Sequence, residues 1–87
     1  MDDMDGWMVY MLRCCDGSLY TGVTNDIERR LSDHREGRGS KYVRSRLPFM
    51  LVYRESAASQ SDALKREAEI KKMPRCKKQM LAQNGPQ

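Results

Sequence analysis

The triplet Cys15-Asp16-Gly17, set between β-favouring runs at 7–13 and 18–24, constrains this chain more than any other feature. A two-residue Asp-Gly loop would pair Cys15 with Ser18 and send Tyr10 and Tyr20 to opposite faces of a hairpin. A three-residue loop with Gly17 in the left-handed region instead pairs Leu12 with Tyr20 and Tyr10 with Gly22, so both rings share one face. The three-residue register is the expectation, with open space left by Gly22 across from Tyr10.

Local signals divide the rest of the chain. Thr24-Asn25-Asp26 offers a helix cap, with Glu28 three residues after Asn25, and Gly37 supplies a stop, predicting a helix over 26–36. The polar stretch 37–47 reads as a basic loop with room for a helical turn. Pro48 ends any helix and opens a third strand over 49–54. A second helix covers 59–72, and Pro74 starts a third that ends near Gln83, before the Asn84-Gly85-Pro86 breaker. Elements of these lengths in this order predict an α+β domain of ββαβαα order, a three-stranded, largely antiparallel sheet flanked by helices.

An 87-residue chain buries only about 60–65% of its unfolded surface, which is enough for one small domain. That domain is expected over 7–83, followed by a short tail at 84–87. The 16 Lys and Arg against 12 Asp and Glu leave a net charge of +4, which favours an anionic partner. The cations also cluster, as Arg38, Lys41, Arg44 and Arg46 in the loop and as Lys71, Lys72, Arg75, Lys77 and Lys78 near the C-terminus. Cys14, Cys15 and Cys76 are odd in number and follow no signal peptide, which points to a reducing cytoplasm rather than a disulfide framework. Adjacent strand residues face opposite ways, so Cys14 and Cys15 do not suit one tetrahedral metal. No apolar run approaches the ~20 residues that cross a bilayer. The sequence shows no obvious apolar patch of the kind a protein-interaction adaptor would need.

Helical geometry sorts the polar residues. At about 100° per residue, Ile27, Leu31 and His34 fall within about 40° of one another, with Arg30 about 60° from Ile27 and Arg29 nearly opposite. Arg30 therefore borders the buried face. On the second helix Glu67 sits about 40° from Ala63 and shares the face of Ala63 and Ile70, while Glu69 points about 120° away. An inward carboxylate left alone would cost several kcal/mol, so Glu67 needs a cation, either a metal ion or Lys71 at i+4. Ala63 and Ala68 leave room beside it. Each residue taken singly has an ordinary structural role: Arg30 as a snorkelling rim residue, His34 as a satisfied core histidine, the tyrosines as sheet packing.

Taken together, Met8-Val9-Tyr10, Tyr20-Thr21-Gly22, Ile27-Glu28-Arg29-Arg30-Leu31, His34 and Ala63-Leu64-Lys65-Arg66-Glu67 follow the order of the GIY-YIG nuclease superfamily, which the chain resembles over residues 7–73. It is most similar to the small, stand-alone bacterial members of the YhbQ type. More distantly it resembles structure-selective branched-DNA nucleases with histidine in the place of His34. Met8 and Val9 replace the glycine and isoleucine of GIY, Thr21 replaces the isoleucine of YIG, and Val23 stands where a repair nuclease of the UvrC type has lysine. The resemblance implies a DNA endonuclease that hydrolyses phosphodiester bonds with one divalent ion, Mg²⁺ or Mn²⁺, on Glu67. It implies structure-selective cutting in repair or recombination. Arg30 would balance charge on the scissile phosphate, Tyr20 would activate water, Tyr10 would position, and His34 would complete the site. A free phenol is only about one part in a thousand ionised at neutral pH, a handicap of roughly 4 kcal/mol for such a base. Arg38, Lys41, Tyr42, Arg44 and Arg46 would hold DNA. The alternative is a non-catalytic nucleic-acid-binding module of the same fold. Oligomeric state is not legible.

Overall fold

In a computed structural model describing residues 6–84, the chain runs β1 (Met8–Cys14), β2 (Leu19–Thr24), α1 (Ile27–Arg35), α2 (Lys41–Arg44), β3 (Phe49–Ser56), α3 (Gln60–Lys71) and α4 (Arg75–Asn84). α4 runs through Asn84, which was expected to start the breaker and the tail, and residues 85–87 lie outside the described residues. The sheet is antiparallel with order β2-β1-β3, so β1 is central. That position explains why Val9, Tyr10, Met11 and Leu12 are all fully buried although they alternate in direction.

The hairpin adopts the three-residue loop. Cys14 N–H donates to the Ser18 carbonyl at 2.9 Å, Gly17 N–H returns to the Cys14 carbonyl at 2.9 Å, and Gly17 takes φ +84°. Tyr10 therefore pairs with Gly22 and Leu12 with Tyr20. The space over Gly22 is not open, however. The Tyr10 ring folds down on it, and a Cβ at 22 would lie 2.5 Å from the Tyr10 hydroxyl.

Helix α1 is one residue shorter at each end than expected, and its cap is Asp26, whose side chain accepts from Arg29 N–H, rather than an Asn25–Glu28 pair. The basic loop does hold a helical turn, α2, capped by Ser40. β3 extends two residues further than expected, to Ser56. It pairs Met11 with Tyr53 but Leu12 with Leu51, leaving Val52 as a bulge. Ser59 caps α3 through Asp62 N–H.

Two clusters form on the two faces of the sheet. Val9, Met11 and Tyr53 meet Ala63 and Ile70 of α3 and Ala82 of α4 on one side. Tyr10, Leu12 and Cys14 meet Val43 of α2, with Tyr20, Ile27, Leu31, Phe49 and Leu51 around them, on the other. Among the described residues no helix is long and apolar enough to cross a membrane. The helical side does expose some apolar surface that sequence inspection passes over: Met80 is exposed, and a hollow of about 310 Å³ is lined by Met73, Lys77, Met80 and Leu81.

Candidate active site

Shared strand register and the inward face of α1 bring three side chains together. The Tyr10 hydroxyl lies 2.9 Å from His34 Nε2, and the Tyr20 ring lies 6.4 Å from Tyr10 and 5.4 Å from His34, centroid to centroid. Tyr10 and His34 are fully buried, whereas Tyr20 is half-buried and forms the outer wall. Phe49 closes the far side with its ring 6.0 Å from His34, edge to face.

Charge states in this group follow from burial. Burial pushes the Tyr10 phenol up to about 12, against an opposing pull from the Arg30 guanidinium that faces it. Tyr20 and Glu67 add smaller upward contributions, which places Glu67 within electrostatic range of Tyr10. Burial, helped by Arg30 and opposed by Asp33, holds His34 below its ordinary value. Arg30 is in turn held more firmly protonated, chiefly by the Tyr10 hydroxyl. The neutral Tyr10 phenol and His34 Nε2 share one hydrogen bond, whose donor follows the imidazole tautomer.

Both ends of this bond rest on glycine. Gly22 lies under the Tyr10 ring, and a Cβ at Gly39 would overlap the His34 ring, 2.8 Å from its Cε1 and closer still to Nδ1. Two buried nitrogens here have no hydrogen-bond partner among the described residues, His34 Nδ1 and Arg30 Nε. Arg30 also lines a polar hollow of about 330 Å³ with Thr24, Asn25, Asp26, Arg29 and Asp33. Asp26 and Asp33 balance the two arginines there, and Asp33 is itself engaged by Arg38 at 3.2 Å.

Glu67 comes from α3, the helix that packs over β1 and β2 on the sheet face opposite the tyrosines. It is largely shielded, with its side chain 19% exposed, and Lys71 Nζ lies 3.2 Å from Oε2. The preceding residue anchors the helix: Arg66 Nε donates to Glu55 Oε2 at 2.9 Å and Nη1 to Glu69 Oε1 at 3.0 Å. Tyr53 hydrogen-bonds the other Glu55 oxygen. Among the described residues no group of three or more Asp, Glu, His or Cys converges to cage a metal. A single shielded carboxylate fits a hard cation that takes its remaining ligands from water and phosphate oxygens, because Lys71 is half exposed and can swing away.

The five residues expected to hold DNA divide in two. Arg38 is paired with Asp33 and Glu36. Arg46 donates to Asp16 Oδ2 at 3.1 Å and lies 3.8 Å over the Tyr42 ring, tying α2 to the hairpin turn. Lys41 and Arg44 are exposed with no carboxylate partner among the described residues, and Tyr42 is stacked 6.0 Å from Tyr20. The packing of Gly39 and Phe49 against His34 was not expected from the sequence. Gly-Arg-Gly at 37–39 was a signal for the first, while nothing local marks the second.

Residues 6–79 match the family model described as the GIY-YIG catalytic domain. The chain is 49% identical over 82 residues to a UPF0213 protein of Staphylococcus saprophyticus, covering 94% of this chain and all of that one. It is 52% identical over 77 residues to a UPF0213 protein of Haloquadratum walsbyi, covering 88% and 86%. Two solution NMR structures have similar folds. The UPF0213 protein BH0048 of Bacillus halodurans has a TM-score of 0.58 at 43% identity, covering 92% of this chain and 86% of that one. The protein EF2693 of E. faecalis has a TM-score of 0.62 at 38% identity, covering 93% and 88%.

Proposed function

The chain belongs to the GIY-YIG nuclease family, and from that premise we propose that it is a divalent-metal-dependent DNA endonuclease. In this reading it hydrolyses phosphodiester bonds in branched, flapped or nicked DNA, serving repair or recombination in the cytoplasm. The observation that carries the reading is Arg30. A guanidinium whose Nε is buried without a partner, beside a neutral phenol and a polar hollow, calls for an anion, and a phosphate oxygen is the acceptor the family supplies.

The roles follow from exposure and charge. Arg30 binds the scissile phosphate through its fork and balances charge as it builds on the equatorial oxygens. Tyr10 is buried and holds its proton, so it acts as a positioning residue. Its hydroxyl is engaged with His34, and the Arg30 guanidinium faces it. Tyr20, with part of its ring in solvent, is the hydroxyl that can reach an attacking water. Glu67 would hold Mg²⁺ or Mn²⁺, which when bound stabilises charge on the phosphate and the leaving oxygen. Lys41, Tyr42 and Arg44 line the approach for DNA, with Arg38 and Arg46 acting partly through their carboxylate partners.

The Glu67–Lys71 pair favours a second reading, a nucleic-acid-binding module whose carboxylate is only structural. Cleavage assays on nicked, flap, branched and duplex DNA with either metal separate the two. Wild type should cut, Glu67→Ala should lose cleavage while keeping or slightly raising affinity, and Arg30→Ala should lose a few powers of ten. A wild type that cuts none of these, or a Glu67→Ala that cuts as well, leaves the binding module.

A further inference from the structure

We propose that the hollow between the hairpin turn, α2 and the start of α4 is a second phosphate subsite. It would take a backbone phosphate of the substrate strand a nucleotide or two from the scissile bond. The proposal rests on the nuclease reading and extends it to residues that reading leaves unused.

The hollow measures about 230 Å³ and is lined by Ser18, Leu19, Tyr42, Arg75 and Lys78. Its two cations come from the C-terminal basic cluster, far in sequence from the loop that carries Tyr42. Arg75 Nη2 donates to the Gly17 carbonyl at 2.8 Å, which holds the guanidinium at the turn with its other N–H groups available. Neither Arg75 nor Lys78 pairs with a carboxylate among the described residues. The neighbouring carboxylate, Asp16, is already committed to Ser18 N–H at 3.0 Å, Ser18 Oγ at 2.6 Å and Arg46 Nε at 3.1 Å. Those bonds hold it ionised and leave it little capacity to neutralise the pair.

Position selects the ligand. Tyr42 is a wall of the hollow and stacks on Tyr20 at 6.0 Å, and Tyr20 lies 5.4 Å from His34. One row of rings therefore connects the two uncompensated cations to the Arg30 site, along the sheet edge formed by β2. A strand whose scissile phosphate meets Arg30 can continue along this row, and its next phosphates meet Arg75 and Lys78.

The test combines binding in EDTA with site-specific neutralisation of the DNA. Lys78→Ala removes one cation and no hydrogen bond seen here, Arg75→Ala removes the other, and Lys65→Ala on the exposed face of α3 is the equal-charge control. One lost phosphate contact lowers the salt slope by roughly 0.9, so affinity should fall about 3.5-fold less between 50 and 200 mM salt than for wild type. In a series of oligonucleotides each carrying one uncharged methylphosphonate linkage, one position should weaken wild type and leave Lys78→Ala indifferent. Equal losses for Lys78→Ala, Arg75→Ala and Lys65→Ala, or a linkage profile identical in wild type and variants, overturns the subsite. Position-specific binding by a protein that cleaves nothing keeps the subsite and removes the catalytic reading. Cleavage with no position-specific loss does the reverse.

Discussion

A methyl group at position 22 would lie 2.5 Å from the Tyr10 hydroxyl and 2.7 Å from Cζ, so Gly22→Ala has to push the phenol off His34. Urea denaturation should show a loss of about 1–3 kcal/mol, the usual cost of overfilling a packed site. Cleavage should fall further than DNA affinity, since Arg30 loses its neighbour. A variant as stable and active as wild type would mean the Tyr10–His34 bond positions nothing. His34 adds a pH dependence. Its folded value lies below the ordinary 6.5, so between the two the unfolded chain binds a proton that the folded chain refuses. Stability should therefore drop as pH falls below about 6.5, by at most about 1.4 kcal/mol per pH unit, and level off below the folded value. Melting from pH 7.5 to 5 should show a shallower decline in His34→Gln than in wild type, and parallel curves would contradict it.

Among the elements, α2 is the shortest. Its four residues Lys41–Arg44 are too few to be stable alone. They are kept in place by Val43 in the core and by Arg46, which bonds Asp16 and covers the Tyr42 ring. Arg46→Ala should cost only about 1 kcal/mol globally, because an exposed ion pair and one cation–π contact are each small. Amide exchange at 42–46 should quicken well beyond that of the strands, and DNA affinity should fall with it. Unchanged exchange in this segment would show that Val43 alone seats the turn. On the other face, Arg66 ties α3 to β3 through Glu55 and so sets the position of Glu67.

At the scale of the molecule, ion pairing reshapes the basic surface that a count of charges suggests. Of the cations assigned to DNA outside the Arg30 site, Arg38 and Arg46 are held by carboxylates, whereas Lys41, Arg44, Arg75 and Lys78 have no such partner among the described residues. With Arg30 on the scissile phosphate, five contacts at about 0.9 each give a slope of roughly −4.5 in log affinity against log salt. Titrations in 50 and 200 mM salt measure it, and salt-insensitive binding would exclude a phosphate-led interface.

What the sequence determined by itself was whatever local geometry and periodicity decide. A Cys-Asp-Gly turn admits a three-residue loop, and the strand period of two then puts Tyr10 and Tyr20 on one face. The 3.6-residue period turns His34 inward on α1 and Ala63 and Ile70 inward on α3. Pro48, Ser59 and Gly37 mark ends because their backbone or capping chemistry acts within a few residues. Tertiary structure alone decided the rest. The Val52 bulge shifts β3 so that Phe49 pairs with Cys14 and faces His34, while Met50 pairs with Arg13 and is exposed. A one-residue slip would have reversed both. Whether Gly22 left a void or a seat depended on where the Tyr10 ring turned. The contact of Arg75 with Gly17 spans 58 residues, and no local preference encodes a bond whose partners meet only after the sheet and α4 have packed.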